Sequence, residues 1–207
     1  MTRTAIIGDI HGHLPGLEAF CAIDEHECFD EILCVGDLVE YGGDDEAVVA
    51  RVRERGIPCV RGNHDQDNQL GLSAAMQDWL SALPLSLQTQ RVTLCHHSQD
   101  LERGLAHSGE LGWQPYAGWL TPVAAVGHRH RPVIHQWLPG SDTGVQLDHR
   151  SGPVPLVDGA RYLLVVPSLA YNRSDDPRPG FMVIDWLAGT IDCRFLDVPP
   201  LVKGDPV

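Results

Sequence analysis

Lysine is nearly missing from this chain of 207 residues, with Lys203 the only one. Basic residues number 15 against 28 acidic ones, and the formal net charge is -13. Coating a nucleic acid or lying on an anionic membrane takes a basic face, so neither partner is expected. No apolar run approaches the roughly 20 residues that span a bilayer, and the opening stretch MTRTAIIGDI holds too short an apolar run for a signal peptide. The expectation is a soluble, cytoplasmic protein. Cys21, Cys28, Cys34, Cys59, Cys95 and Cys193 form no CxxC pair, which argues against a zinc knuckle or a disulfide framework and for buried, reduced thiols. Internal repeats and low-complexity tracts are absent too. With 43% hydrophobic residues the chain is not a disordered one, and its length suits a single α/β domain over 1–207, its tail after about 199 poorly ordered.

What the chain does have is histidine, eleven in all, much of it beside glycine. The first half alternates strand and helix: strands at 4–7, 31–35 and 58–61, helices at 14–23, 44–55 and 67–82. This is the rhythm of a sheet with helices packed on it. The second half is punctuated by Pro and Gly into strands at 91–95, 123–126, 133–137, 162–166, 181–185 and 190–195, with room for helix around 101–120. Residues 139–160 read as a hairpin or long loop. Two sheets packed together with helices outside follow from that division.

Five strand ends carry chemistry. AIIGDIHGH delivers Asp9 and His11; EILCVGDLVEYGG delivers Asp37; IPCVRGNHD delivers Asn63, His64 and Asp65; RVTLCHHS delivers His96 and His97; VAAVGHRH delivers His128 and His130. One acid or imidazole after a strand is ordinarily a turn or cap residue. Five such ends in order, four with a glycine directly before the polar group, are not explained by turn chemistry. Ligands gather at the carboxyl ends of strands in open α/β sheets, so these groups can converge. Imidazoles, carboxylates and a carboxamide make a mixed nitrogen and oxygen set suited to borderline divalent ions. They are too many for one tetrahedral ion and suit two ions about 3.5–4 Å apart with one carboxylate shared.

The series GDIHG, GDLVEYG, GNHD, a strand-ending His and GHRH resembles the calcineurin-like metallophosphoesterases, whose pattern is GDxHG, GDxxxxG, GNHD or GNHE, H and GHxH. The resemblance spans residues 5–131 and continues more weakly to about 185, where the chain is similar to small prokaryotic phosphodiesterases. It implies a four-layer α/β/β/α sandwich of two packed mixed sheets. It also implies one metal on Asp9, His11 and His130, a second on Asn63, His96 and His128, and Asp37 bridging them. His64 falls where relatives protonate the leaving group; Asp65 either orients His64 or caps the segment after it.

The activity implied is hydrolysis of phosphate esters by a metal-bridging hydroxide, with Mn the expected metal and Fe, Ni, Co, Zn or Mg the alternatives. Two divalent cations outweigh Asp9, Asp37 and the hydroxide, so an acidic chain still offers phosphate a positive pocket. The substrate expected is a small nucleotide-like diester. The alternatives are a phosphomonoester or phosphoprotein substrate, or a non-catalytic binding module on the same fold. Tyr41 stands where serine/threonine phosphatases carry Arg in GDxVDRG, which weighs against the phosphoprotein reading. His13 and Arg173 are the candidate substrate contacts, His97 is a neighbour of the site or solvated, and Trp113, Tyr116 and Trp119 read as core aromatics, with a base-stacking pocket the alternative. The oligomeric state is left open.

Overall fold

Strand β1, Arg3–Ile7, is apolar on both sides because both sides are covered: Ala5 and Ile7 join an apolar cluster with the helices, while Ile6 joins a second cluster with the other sheet. Around it a computed structural model describes residues 2–66, 71–97 and 121–202. The helices are α1, Leu14–Glu27, α2, Asp45–Glu54, and α3, Ala74–Ala82. The remaining strands are β2, Glu31–Cys34; β3, Ser86–Gln88; β4, Val92–Cys95; β5, Val123–Val126; β6, Val133–Trp137; β7, Val145–Leu147; β8, Val154–Pro155; β9, Arg161–Val165; β10, Gly180–Asp185; and β11, Thr190–Phe195.

Two mixed sheets result. One runs β2-β1-β10-β11-β8 and the other β3-β4-β5-β9-β6-β7. In the first, β1 and β2 are parallel; in the second, β4, β5 and β9 are. The sheets meet through Ile6, Leu33 and Met182 on one side and Leu94, Val123 and Leu164 on the other. Phe20, Val48, Val52 and Leu80 of the three helices pack on the outer face of the first sheet. Ala124, Val126, Trp137, Leu163 and Val165 form a third cluster on the second sheet. The expected second helical layer is not found among the described residues, and the 101–120 stretch with its Trp113, Tyr116 and Trp119 lies outside them. Among the described residues no helix is long and apolar enough to cross a membrane.

Three local expectations need correction. The strand expected at 58–61 is reduced to a single parallel bridge between Cys34 and Cys59, because Pro58 has no N–H to extend the ladder. The helix expected from 67 begins only at Ala74; residues 71–73 are not helical, and 67–70 lie outside the description. The stretch 139–160 serves both sheets: β7 returns antiparallel on β6, and β8 crosses over to pair with β11. All six cysteines are free, though Cys28 is exposed rather than buried.

Candidate metal and active site

The parallel strands point their carboxyl ends at one edge of the sandwich. Asp9 and His11 follow β1, Asp37 follows β2, Asn63 and His64 follow the bridge at Cys59, His96 follows β4, and His128 and His130 follow β5. Five of these residues, Asp9, His11, Asp37, His128 and His130, have positive φ, between 48° and 69°. Left-handed backbone is costly for residues with a Cβ and collects at functional sites. The loops interlock to hold it: Asp9 N donates to Gly36 O at 2.8 Å, and His11 N donates to Asp37 O at 3.0 Å. At Gly62 a Cβ would stand 2.1 Å from an Asp37 carboxylate oxygen, so only glycine lets that loop pass.

Two groups of ligand atoms form on this edge. Asp9, His11 and His130 make one, Asp37, His96 and His128 the other, the atoms of each lying within 4.8 Å of one another. Asn63 joins the second: its Oδ1 is 3.1 Å from His96 Nε2 and 2.8 Å from His128 Nδ1. Asp37 Oδ2 lies 3.0 Å from His96 Nε2 and 3.8 Å from His11 Nε2, between the groups. Asp9, His11, Asp37, His96 and His130 are buried, whereas Asn63, His64 and His128 are half-buried and form the open side.

The donor set fits divalent cations. His11 Nδ1 faces Val39 O at 3.2 Å, His130 Nδ1 faces Tyr171 O at 3.1 Å, and His96 Nδ1 faces Val35 O at 2.6 Å. A carbonyl accepts only, so each Nδ1 carries a proton; in the neutral rings of His11 and His130 Nε2 then presents a lone pair to the centre, while His96 Nε2 faces Asp37 Oδ2 at 3.0 Å. His11 Nε2 and His130 Nε2 thus meet lone pair to lone pair at 3.0 Å, a contact that a shared cation relieves. Burial lowers the His11 pKa to about 4 despite the nearby carboxylates, keeping that ring neutral. Burial also works against charging His96, but the Asp37 hydrogen bond and the charges of Asp9 and Asp37 outweigh it and raise the pKa to about 9. Burial alone would raise Asp9; its contacts with His130, His96 and His11 prevail and lower it to about 2. Buried carboxylates here demand a positive charge.

Asp65 does not orient His64. Its carboxylate accepts the amide hydrogens of Asp37, Leu38 and Gly62 at 2.9, 2.8 and 2.8 Å. Burial and the Asp37 charge raise its pKa to about 6. The side chain is saturated by backbone donors and braces two loops. His64 N donates to Asp37 Oδ1 at 2.8 Å, while His64 Nδ1 pairs with the carboxylate of Glu40. Sequence reasoning missed Glu40, although its place in GDLVEYG, three residues after Asp37, was available as a signal.

His97 stacks on His128 at 4.8 Å and is a neighbour of the site, as expected. His13 is buried with Nδ1 3.0 Å from Leu169 O, so the hydrogen bond seen here is to backbone. Arg173 N donates to His130 O at 2.6 Å and its guanidinium stands beside Tyr171. Ser168 was also missed: buried, it donates through Oγ to Asp9 O at 2.7 Å and so ties the loop after β9 to the first ligand.

Comparison with known proteins gives a consistent answer. Residues 2–162 match the family described as calcineurin-like phosphoesterase. An uncharacterised protein of Methanocaldococcus jannaschii is 36% identical over 211 residues, covering 87% of this chain and 82% of its own. Among solved structures, a metallophosphoesterase from Sphaerobacter thermophilus superposes with TM-score 0.72 at 22% identity, covering 96% of this chain and 89% of its own. A protein described as a novel archaeal phosphodiesterase superposes with TM-score 0.58 at 16% identity, covering 94% and 99%. With the family matched over most of the chain and the histidine and carboxylate clusters in place, the chain belongs to the calcineurin-like phosphoesterases and is a metal-dependent phosphoester hydrolase.

Proposed function

We propose that this protein is a dinuclear phosphodiesterase acting on small nucleotide-like diesters, with Mn the metal it uses. The observation that carries the reading is the position of Asp37, whose Oδ2 reaches both His96 and His11 and so joins two ligand groups into one centre. Asp9, His11 and His130 would hold one ion, Asn63, His96 and His128 the other, with Asp37 common to both. Two divalent ions there supply charge neutralisation for a phosphoryl group and lower the pKa of water in the site.

The chain's own residues do the rest. The buried ligands form the floor, and substrate enters over half-buried Asn63, His64 and His128. His64, bonded through Nδ1 to Glu40, has its imidazole fixed at this open side and donates a proton to the departing oxygen. Glu40 sets the orientation of the ring. The name of the archaeal neighbour is in keeping with diester hydrolysis.

Protein loaded with Mn is expected to hydrolyse bis-p-nitrophenyl phosphate faster than p-nitrophenyl phosphate or a phosphopeptide, and to stop on chelation. Inertness toward all three with each of several added metals overturns the reading. His64→Ala is expected to keep both metals, read by elemental analysis, and to turn over roughly 10²–10⁴-fold more slowly, the usual share of a general acid. An unchanged rate removes His64 from the mechanism.

A further inference from the structure

Two tyrosines frame the half-buried side of the site. The Tyr41 ring centroid lies 5.1 Å from that of His11 and 5.1 Å from that of His64. The Tyr171 centroid lies 4.6 Å from that of His130 and 6.4 Å from that of His11. Both tyrosines therefore border the first ligand group, and Tyr41 also borders the proposed proton donor. Neither belongs to any of the three apolar clusters, and Tyr41 is 36% exposed.

The backbone beneath Tyr41 shows that this placement is costly. Glu40 and Tyr41 have φ of 78° and 77°. A bulky residue in the left-handed region costs about 1–3 kcal/mol, whereas glycine takes it freely. The loop has no room to relax: Gly42 N donates to His11 O at 2.7 Å, a Cβ at Gly42 would stand 2.4 Å from Gly12 backbone, and Glu40 N donates to Asp45 Oδ1 at 2.8 Å. A core aromatic repays such a cost by burial. Tyr41 is only half open, and its ring is held at the rim of the site by contact with His11 and His64.

We propose that Tyr41 and Tyr171 form an aromatic subsite for a flat organic group, an aryl ring or a nucleobase, esterified to the phosphate held at the metal centre. The assignment rests on the phosphoesterase reading above and narrows its substrate class. Flat rings gain from stacking or edge contact with tyrosine, and an alkyl group of similar charge does not gain as much. Arg173, two residues further on, has its guanidinium 5.9 Å from the Tyr171 centroid and donates from Nη2 to the Tyr171 hydroxyl at 3.4 Å, which holds that ring in place.

The test uses full-length Mn-loaded protein and two stable anions, phenylphosphonate and methylphosphonate, measured by calorimetry and as inhibitors of bis-p-nitrophenyl phosphate hydrolysis. The wild type is expected to bind the phenyl compound at least tenfold more tightly, and to prefer adenosine 5′-monophosphate to ribose 5-phosphate likewise. Tyr41→Leu and Tyr171→Leu are each expected to cut the phenyl preference about tenfold, the loss of one ring contact of about 1.4 kcal/mol, with Tyr41→Phe restoring it. Because the readout is a ratio within one preparation, partial misfolding of a variant does not move it. Equal affinity for the two phosphonates in a wild type that hydrolyses the diester overturns the aromatic subsite alone. Absence of hydrolysis overturns the phosphoesterase reading instead, and the calorimetric ratio still decides on the tyrosines.

Discussion

The carboxylate of Asp65 accepts the amide hydrogen of Asp37 at 2.9 Å, and through the same side chain it holds Leu38 and Gly62. It clamps the loop after β2 to the loop that carries Asn63 and His64. Asp65→Ala is expected to leave three buried donors without a partner and to destabilise the fold by about 2–3 kcal/mol or more. Urea unfolding checks it; a midpoint equal to the wild type means the clamp is dispensable.

Glu40 is expected to behave differently. Its partner is the His64 ring, and its own side chain is 38% exposed. Glu40→Gln should fold normally and bind metal normally, yet lower kcat about tenfold or more, part of the roughly 10²–10⁴-fold that proton transfer contributes. KM should move little. A variant whose kcat matches the wild type shows that His64 needs no such partner.

Asp37 tests the shared centre. Asp37→Asn removes the charge common to both ligand groups and is expected to weaken metal binding by more than the roughly 10–100-fold typical of an outer-shell partner. Elemental analysis after gel filtration reads the stoichiometry. Retention of two ions per chain would falsify the bridging assignment.

Metal removal should register as lost stability, since ions bound by the native state alone stabilise it by mass action. At free metal about 100 times Kd the contribution is about 2.7 kcal/mol per site, roughly 5–10 °C in Tm for a chain of this size. Chelation followed by thermal unfolding measures it. If the Tm stays put while elemental analysis shows the ions gone, the bound ions do not stabilise the folded state.

Asp30 supplies a pH dependence far from the metals. Its carboxylate accepts hydrogen bonds from the Thr2 hydroxyl, Thr2 N and Arg3 N, which lower its pKa from 3.8 to about 2. The folded value lies below the unfolded one, so the carboxylate form is favoured by folding. The stabilisation is present above pH 4 and is lost as pH falls through 2. Asp30→Asn should therefore have a lower Tm than wild type at pH 6, and the gap should close in that acid window. A gap that persists at pH 2 contradicts the assignment.

Much of this was legible in the order of residues. β5, β6 and β11 match the expected strands residue for residue, each opening directly after a Pro or Gly: Pro122, Pro132 and Gly189. β3 was not expected; Ser86–Gln88 is three residues long with Ser86 and Gln88 exposed, and it exists by pairing with β4. The strand expected at 58–61 failed for the opposite reason, since its apolar content was adequate and its ladder was not.

The site divides along the same line. The residue types at the five strand ends, and the glycines before four of them, were enough to indicate a metal centre, because ligand chemistry belongs to side chains and the turn requirement is local. Which carboxylate serves which partner is not local. Asp65 and Glu40 are both acids near His64, 1 and 24 residues away in sequence, and the nearer one bonds to backbone while the farther one reaches the ring. Likewise His11 and His130 are separated by 119 residues and meet at 3.0 Å only because β1 and β5 lie in different sheets of one sandwich. Sequence by itself determined which groups were available and where the chain would stop to present them. Tertiary structure decided their pairing, the left-handed backbone that aims them, and the tyrosines at the rim, because those depend on how two sheets pack and which loops are thereby pressed together.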